Sequence, residues 1–113
     1  MLAAVTFSAA VSATGTARAD AFDSVRVELE DVAERSRALH ELVEHAAPAV
    51  RRDAERIVAA VDRKRASLSA RIDLLELVGE PSEQLERPKL EMKSTLRFLD
   101  HLLGIVERWF GRR

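Results

Sequence analysis

The densest cluster of chemically capable side chains is the run His40-Glu41-Leu42-Val43-Glu44-His45. On a helix His40 and Glu44 share one face, and Glu41 and His45 share the next, because residues four apart are neighbours. Imidazole and carboxylate are zinc donors, and a zinc-protease helix places its second histidine four residues after the first. Here that position is Glu44. The inverted order of such motifs also misses, because three residues rather than two separate His40 from Glu44. His40, Glu44 and His45 are therefore only weak metal candidates, and the segment reads as a solvated helix flank carrying i,i+4 hydrogen bonds. His101, between Asp100 and Leu102, reads as a surface histidine. No glycine-rich phosphate loop occurs, and neither Ser36, Ser67, Ser69, Ser82 nor Ser94 belongs to a nucleophile motif. Cysteine is absent, which removes thiolate chemistry. These residues predict a non-catalytic chain with no cofactor and no small-molecule substrate.

A different chemistry gathers at the C-terminus, where Arg108-Trp109-Phe110-Gly111-Arg112-Arg113 sets the only Trp beside Phe and three Arg. Indole, phenyl and guanidinium side chains together suit an anionic lipid headgroup boundary. The competing expectation is that Trp109 and Phe110 close one end of a helical core while the arginines offset the negative end of a helix dipole. Arg51, Arg52, Arg56, Arg63, Lys64, Arg65 and Arg71 form a basic run, but Asp53, Glu55 and Asp62 interrupt it. Phosphate recognition needs an uninterrupted basic face, so no nucleic acid is expected, and the run reads as a stripe facing an acidic helix.

The elements that must position these groups are helices. Val25, Leu29, Val32, Leu39 and Val43, with Ser36 in the intervening slot, alternate spacings of four and three, the period of one buried helix stripe. Asp23-Ser24 offers capping oxygens just before it. After Pro48 the stripe resumes as Val50, Ala54, Ile57, Val61, Leu68, Ile72 and Leu75. Gly79 followed by Pro81 is a stop signal. Pro88 suits the first turn of a third helix with the stripe Met92, Leu96, Leu99, Leu103, Val106 and Phe110. A second row, Phe98, Leu102, Ile105 and Trp109, widens that face and predicts neighbours on two sides. Helices are expected at about 24–47, 49–78 and 88–110.

The fold class is all-α. Two arrangements fit the joint at His45-Ala46-Ala47-Pro48: an antiparallel three-helix bundle, or one long Pro48-kinked helix with the third helix folded back on it. Charge favours the bundle. Residues 20–48 carry net −5, 49–71 carry +4, 72–92 carry −4 and 93–113 carry +3, so successive blocks attract when folded back.

Composition sets the outer limits. The 113 residues suit a single domain, and 47% apolar with 33% charged residues excludes both a disordered tail and a membrane bundle. Aromatics are only 4%, so Leu, Val, Ile and Ala must build the core. Residues 1–19 hold one charge, Arg18, whereas the following 94 hold 36. Ala17-Arg18-Ala19 has the small-x-small pattern of a signal-peptidase site, although no basic residue precedes Leu2. The expectation is a signal peptide over 1–19, a single helical domain over 20–113, and a secreted or periplasmic location. The alternative is a cytoplasmic protein with a disordered N-terminal extension.

The function these features predict is a small exported interaction or adaptor protein acting through helix faces on a protein partner or on itself. The alternative is a peripheral protein binding an anionic lipid surface through the amphipathic third helix and Arg108, Trp109, Phe110, Arg112 and Arg113. Export makes a direct prediction: N-terminal sequencing of native protein yields Asp20 as the first residue, and Ala19→Glu blocks processing. Recovery of uncut Met1–Ala19 refutes it.

Overall fold

A computed structural model describes residues 2–112, with side chains described from Ala21 onward. Met1 and Arg113 fall outside the described residues, and the expected signal segment falls outside those with described side chains. Three helices follow one another: α1 (Leu2–Glu44), α2 (Pro48–Val78) and α3 (Ser82–Trp109), each packed against both others, with no strands among the described residues.

The joint at Pro48 is a turn. The proline ring clashes with a helical conformation at the residue before it, and Ala47 accordingly lies at φ −59°, ψ 147°. His45 and Ala46 donate their N–H groups to the carbonyls of Leu42 and Val43 at 3.2 and 3.1 Å, closing α1. Pro48 then opens α2 at a position where its missing N–H costs nothing. The chain therefore reverses, and the single kinked helix is not formed. Gly79 ends α2 in the left-handed conformation, φ 73° and ψ 36°, and its N–H reaches the Leu75 carbonyl at 3.2 Å. Only glycine adopts that backbone without a Cβ penalty.

Two helix starts differ from those the sequence suggested. α1 does not begin at Asp23-Ser24 but runs through it. The physical reason lies one residue earlier: Phe22 is fully buried and Ala21 packs beside it, so the apolar stripe extends across the expected cap. α3 begins at Ser82 rather than Pro88, and Pro88 sits inside it. Pro81, at φ −59° and ψ 149°, ends the preceding extended stretch, and Leu85, buried in the core, fastens the first turn.

The core is the seam between the stripes. α1 contributes Phe22, Val25, Leu29, Val32, Leu39 and Val43, and α3 contributes Leu85, Met92, Leu96, Leu99, Leu103 and Val106. On α2 the buried residues are Ala54, Val58, Val61, Leu68 and Ile72. The α2 seam thus uses Val58 where the sequence suggested Ile57, which is half-buried, and Val50 is exposed. Arg26 joins α1 to the end of α2 through Asp73 at 3.0 Å and Glu76 at 2.9 Å, and Arg71 joins α2 to α3 through Glu91 at 3.1 Å. The hydrogen bonds that Arg26 donates to Asp73 and then Glu76 raise its pKa above the ordinary value.

The packing sets a stability test. Leu103 and Phe22 are both fully buried, so urea unfolding of Leu103→Ala should show a loss of about 2–5 kcal/mol and Phe22→Ala about 3–5 kcal/mol. An unchanged midpoint for either places that side chain outside the core.

Candidate interaction surface

The His40–His45 segment does not converge. His40 reaches away from Glu44 to α2, where its Nε2 lies 2.8 Å from Asp62 Oδ2. An ionised carboxylate only accepts, so the imidazole donates. The other Asp62 oxygen accepts the hydroxyl of buried Ser36 at 2.5 Å. The carboxylate therefore stands between serine and histidine, whereas a nucleophile triad needs the histidine between serine and carboxylate. Glu44 ends α1 exposed and His45 lies in the turn. Among the described residues no three His, Asp or Glu side chains gather as metal ligands. Asp62, expected to break up the basic run, is turned toward α1 instead.

A second polar network clamps α3 to α1. Arg35 forks onto buried Glu107, with Nε to Oε2 at 3.0 Å and Nη2 to Oε1 at 2.6 Å, and its Nη1 donates to Asp100. Asp31, one turn before Arg35, lies 3.7 Å from the same guanidinium. Planar guanidinium and carboxylate match in this two-point geometry. The hydrogen bonds that Arg35 donates to Glu107 hold its pKa above the ordinary value, against the opposing effect of burial. No simple sequence signal marks this pair, since Arg35 and Glu107 are 72 positions apart and both read as surface charge. The cleft between α1 and α3 is lined by Glu28, Asp31, Arg35, Arg97 and Asp100 and is thus occupied by a structural clamp.

The C-terminal residues divide between the two expectations. Phe110 packs against the core, whereas Trp109 stays 47% exposed, and Arg108 and Arg112 are exposed. Arg113 lies outside the described residues. Trp109 shares a hollow of about 270 Å³ with Val50 and Asp53 of α2. Three turns back along α3, Phe98 is 51% exposed beside Leu102, Ala60 and Lys64, in a hollow of about 390 Å³. The second apolar row of α3 therefore faces outward along the α2/α3 groove.

That groove continues toward the α2–α3 turn, where Leu74, Val78 and Leu90 are exposed. On α3 the row reads Leu90, Ser94, Phe98, Leu102, Ile105 and Trp109. On α2 it reads Val50, Ile57, Ala60, Lys64, Ser67, Arg71, Leu74 and Val78. Both follow spacings of three and four or their multiples, so each helix carries an outer stripe alongside its core stripe. Among the described residues, seven of the eight large exposed hydrophobic side chains lie on α2 and α3, leaving only Val27 on α1.

No family model, characterised protein or solved structure matches this chain.

The clamp predicts a double-mutant pattern. Glu107→Ala removes the forked partner of Arg35, leaving Asp100 and the more distant Asp31, and should cost about 1–3 kcal/mol in urea unfolding, while Arg35→Met with Glu107→Leu should recover most of that loss. Because the folded Arg35 pKa is raised, its contribution is fully present below the ordinary guanidinium value and is lost only in strong alkali. Stability of wild type should therefore show no Arg35-linked step between neutral and moderately alkaline pH. Equal losses in the single and double variants refute the clamp.

Proposed function

We propose that this protein is a small, exported, non-catalytic interaction protein that works by presenting the outer α2/α3 face to another protein. The observation carrying this reading is the one-sided exposure of Phe98, Trp109, Val50, Leu74, Val78 and Leu90. Single exposed apolar residues are ordinary, but exposed apolar side chains gathered along two adjacent helices mark a binding surface on a soluble protein. Trp and Phe rings half-open in hollows are the side chains that anchor helix-face contacts. Export enters through the charge discontinuity at Asp20 and Ala17-Arg18-Ala19. Cleavage there leaves Ala21, Phe22 and the other core residues among those with described side chains in the mature chain.

A second reading is favoured by Trp109, half-exposed beside Arg108 and Arg112: docking on an anionic lipid surface. No helix among the described residues is long and apolar enough to cross a membrane, so such contact would be peripheral.

Two measurements separate the readings. A photoreactive phenylalanine analogue at position 98 should give discrete protein adducts in cells, and the same group at Glu34 on exposed α1 should give none. Trp109 emission should not respond to anionic vesicles. A salt-sensitive blue shift on adding vesicles, with no protein adduct from position 98, rejects the protein-partner reading in favour of lipid.

A further inference from the structure

We infer that the occupant of the α2/α3 face is a second copy of this chain, packed face to face in antiparallel register. This rests on the interaction reading above and narrows the partner from any protein to the chain itself. The groove is bipolar. Around its Val50, Phe98 and Trp109 half, α2 and α3 carry the blocks 49–71 and 93–113, which are +4 and +3. Around its Leu74, Val78 and Leu90 half they carry the block 72–92, which is −4. Arg52, Arg56, Arg63, Lys64, Arg97 and Arg108 form no ion pair among the described residues, nor do Glu80, Glu83 and Glu86.

A partner must therefore offer negative charge at one end, positive charge at the other, and apolar side chains at both. An anionic bilayer is negative throughout and would be repelled by the acidic half. A uniformly acidic helix would satisfy only the basic half. A second copy related by a two-fold axis across the helices satisfies both, because its acidic half then lies on the basic half of the first. Parallel pairing would oppose like charges along the whole face. Antiparallel pairing places the axis close to Ser94 and Ser67, whose small side chains allow the two faces to approach. The area is sufficient. About that axis the two copies overlap from Arg56 to Val78, about 33 Å at about 1.5 Å per residue. Over the width of two helices that is roughly 650 Å² per copy, within the range of stable interfaces.

The test uses the full chain, whose mass is 12.6 kDa. Sedimentation equilibrium should report twice that mass, with the dimer weakening as salt rises. Phe98→Glu should raise the dissociation constant about 30-fold or more while circular dichroism shows unchanged helix content. Register is read by introduced cysteines, which the native chain lacks. Ser94→Cys should cross-link under mild oxidation, whereas Ser82→Cys should not, since antiparallel pairing holds the two copies of that position about 40 Å apart. Charge is read by mixing. Arg56→Glu with Arg108→Glu should be monomeric alone, as should Glu83→Lys with Glu86→Lys, and the two together should form a heterodimer. A monomer at high concentration overturns the inference, as does equal cross-linking at Ser82 and Ser94. If the protein is monomeric yet position 98 still gives protein adducts, the second copy is excluded and the interaction reading stands.

Discussion

Arg35 imposes the constraint on which the arrangement turns. A guanidinium largely removed from water and left unpaired would cost several kcal/mol, so every competing packing must supply it with carboxylates or leave it in solvent. On α3, Asp100 and Glu107 lie seven residues apart, two turns of one face, and both meet Arg35. Meeting both fixes the height of α3 against α1 as well as its rotation about its own axis. Since α1 and α3 must then run the same way, α2 between them in sequence has to descend, and the short turn at His45–Ala47 permits it. Leucine and valine contacts tolerate sliding by a turn; a forked ion pair does not. The apolar seam supplies most of the stabilisation, and Arg35 selects the register.

The rotation has a consequence on the far side of α3. Turning Asp100 and Glu107 toward α1 carries Phe98, Leu102, Ile105 and Trp109 round toward the outer edge of α2. Helix α3 is too apolar to be covered by two neighbours, and α1 is already committed. The exposed face is thus coupled to the buried clamp: the same geometry that satisfies Arg35 leaves the second row open.

Much of the architecture was legible because it depends on local punctuation. Pro48, Gly79 and Pro81 act on the backbone within a residue or two of themselves, and the stripes of α1 and α3 follow the helical period without gaps. The helix starts were less legible. Asp23-Ser24 has cap chemistry, but a side chain capable of capping also sits comfortably on an exposed helix face, and buried Phe22 outweighs it. Pro88 has the chemistry of a first-turn residue, yet Leu85 gains more by burial in an earlier turn than the helix loses at one missing N–H. The polar networks were illegible for a different reason. Ser36–Asp62 and Arg35–Glu107 join residues whose sequence separation carries no periodic signal, and Asp62 interrupts the basic run in linear order, which does not say which face of α2 it occupies. The sequence suits Trp109 to either core or surface; its neighbour Phe110 takes the core position, one helical step of about 100° away.

Charge ordering was legible in its blocks and misleading in its simplest pairing. Alternating signs suggested that each block attracts the next. In the bundle, the basic parts of α2 and α3 lie side by side, and α1 reaches its neighbours through Arg26, Arg35 and His40, which pair with Asp73 and Glu76, with Asp100 and Glu107, and with Asp62. Within the acidic block 72–92, Asp73 and Glu76 are paired with Arg26 and Glu91 with Arg71, while Glu80, Glu83 and Glu86 form no ion pair among the described residues. Internal pairing therefore leaves unpaired charge of opposite sign at the two ends of the α2/α3 face, Arg52, Arg56, Lys64 and Arg108 at one and Glu80, Glu83 and Glu86 at the other. A surface charged at random would leave no such order. Here the polarity lies along the same two helices as the unburied apolar row, and the two features together specify a partner with matching rings and reversed charge, which is the description of the same face turned end for end.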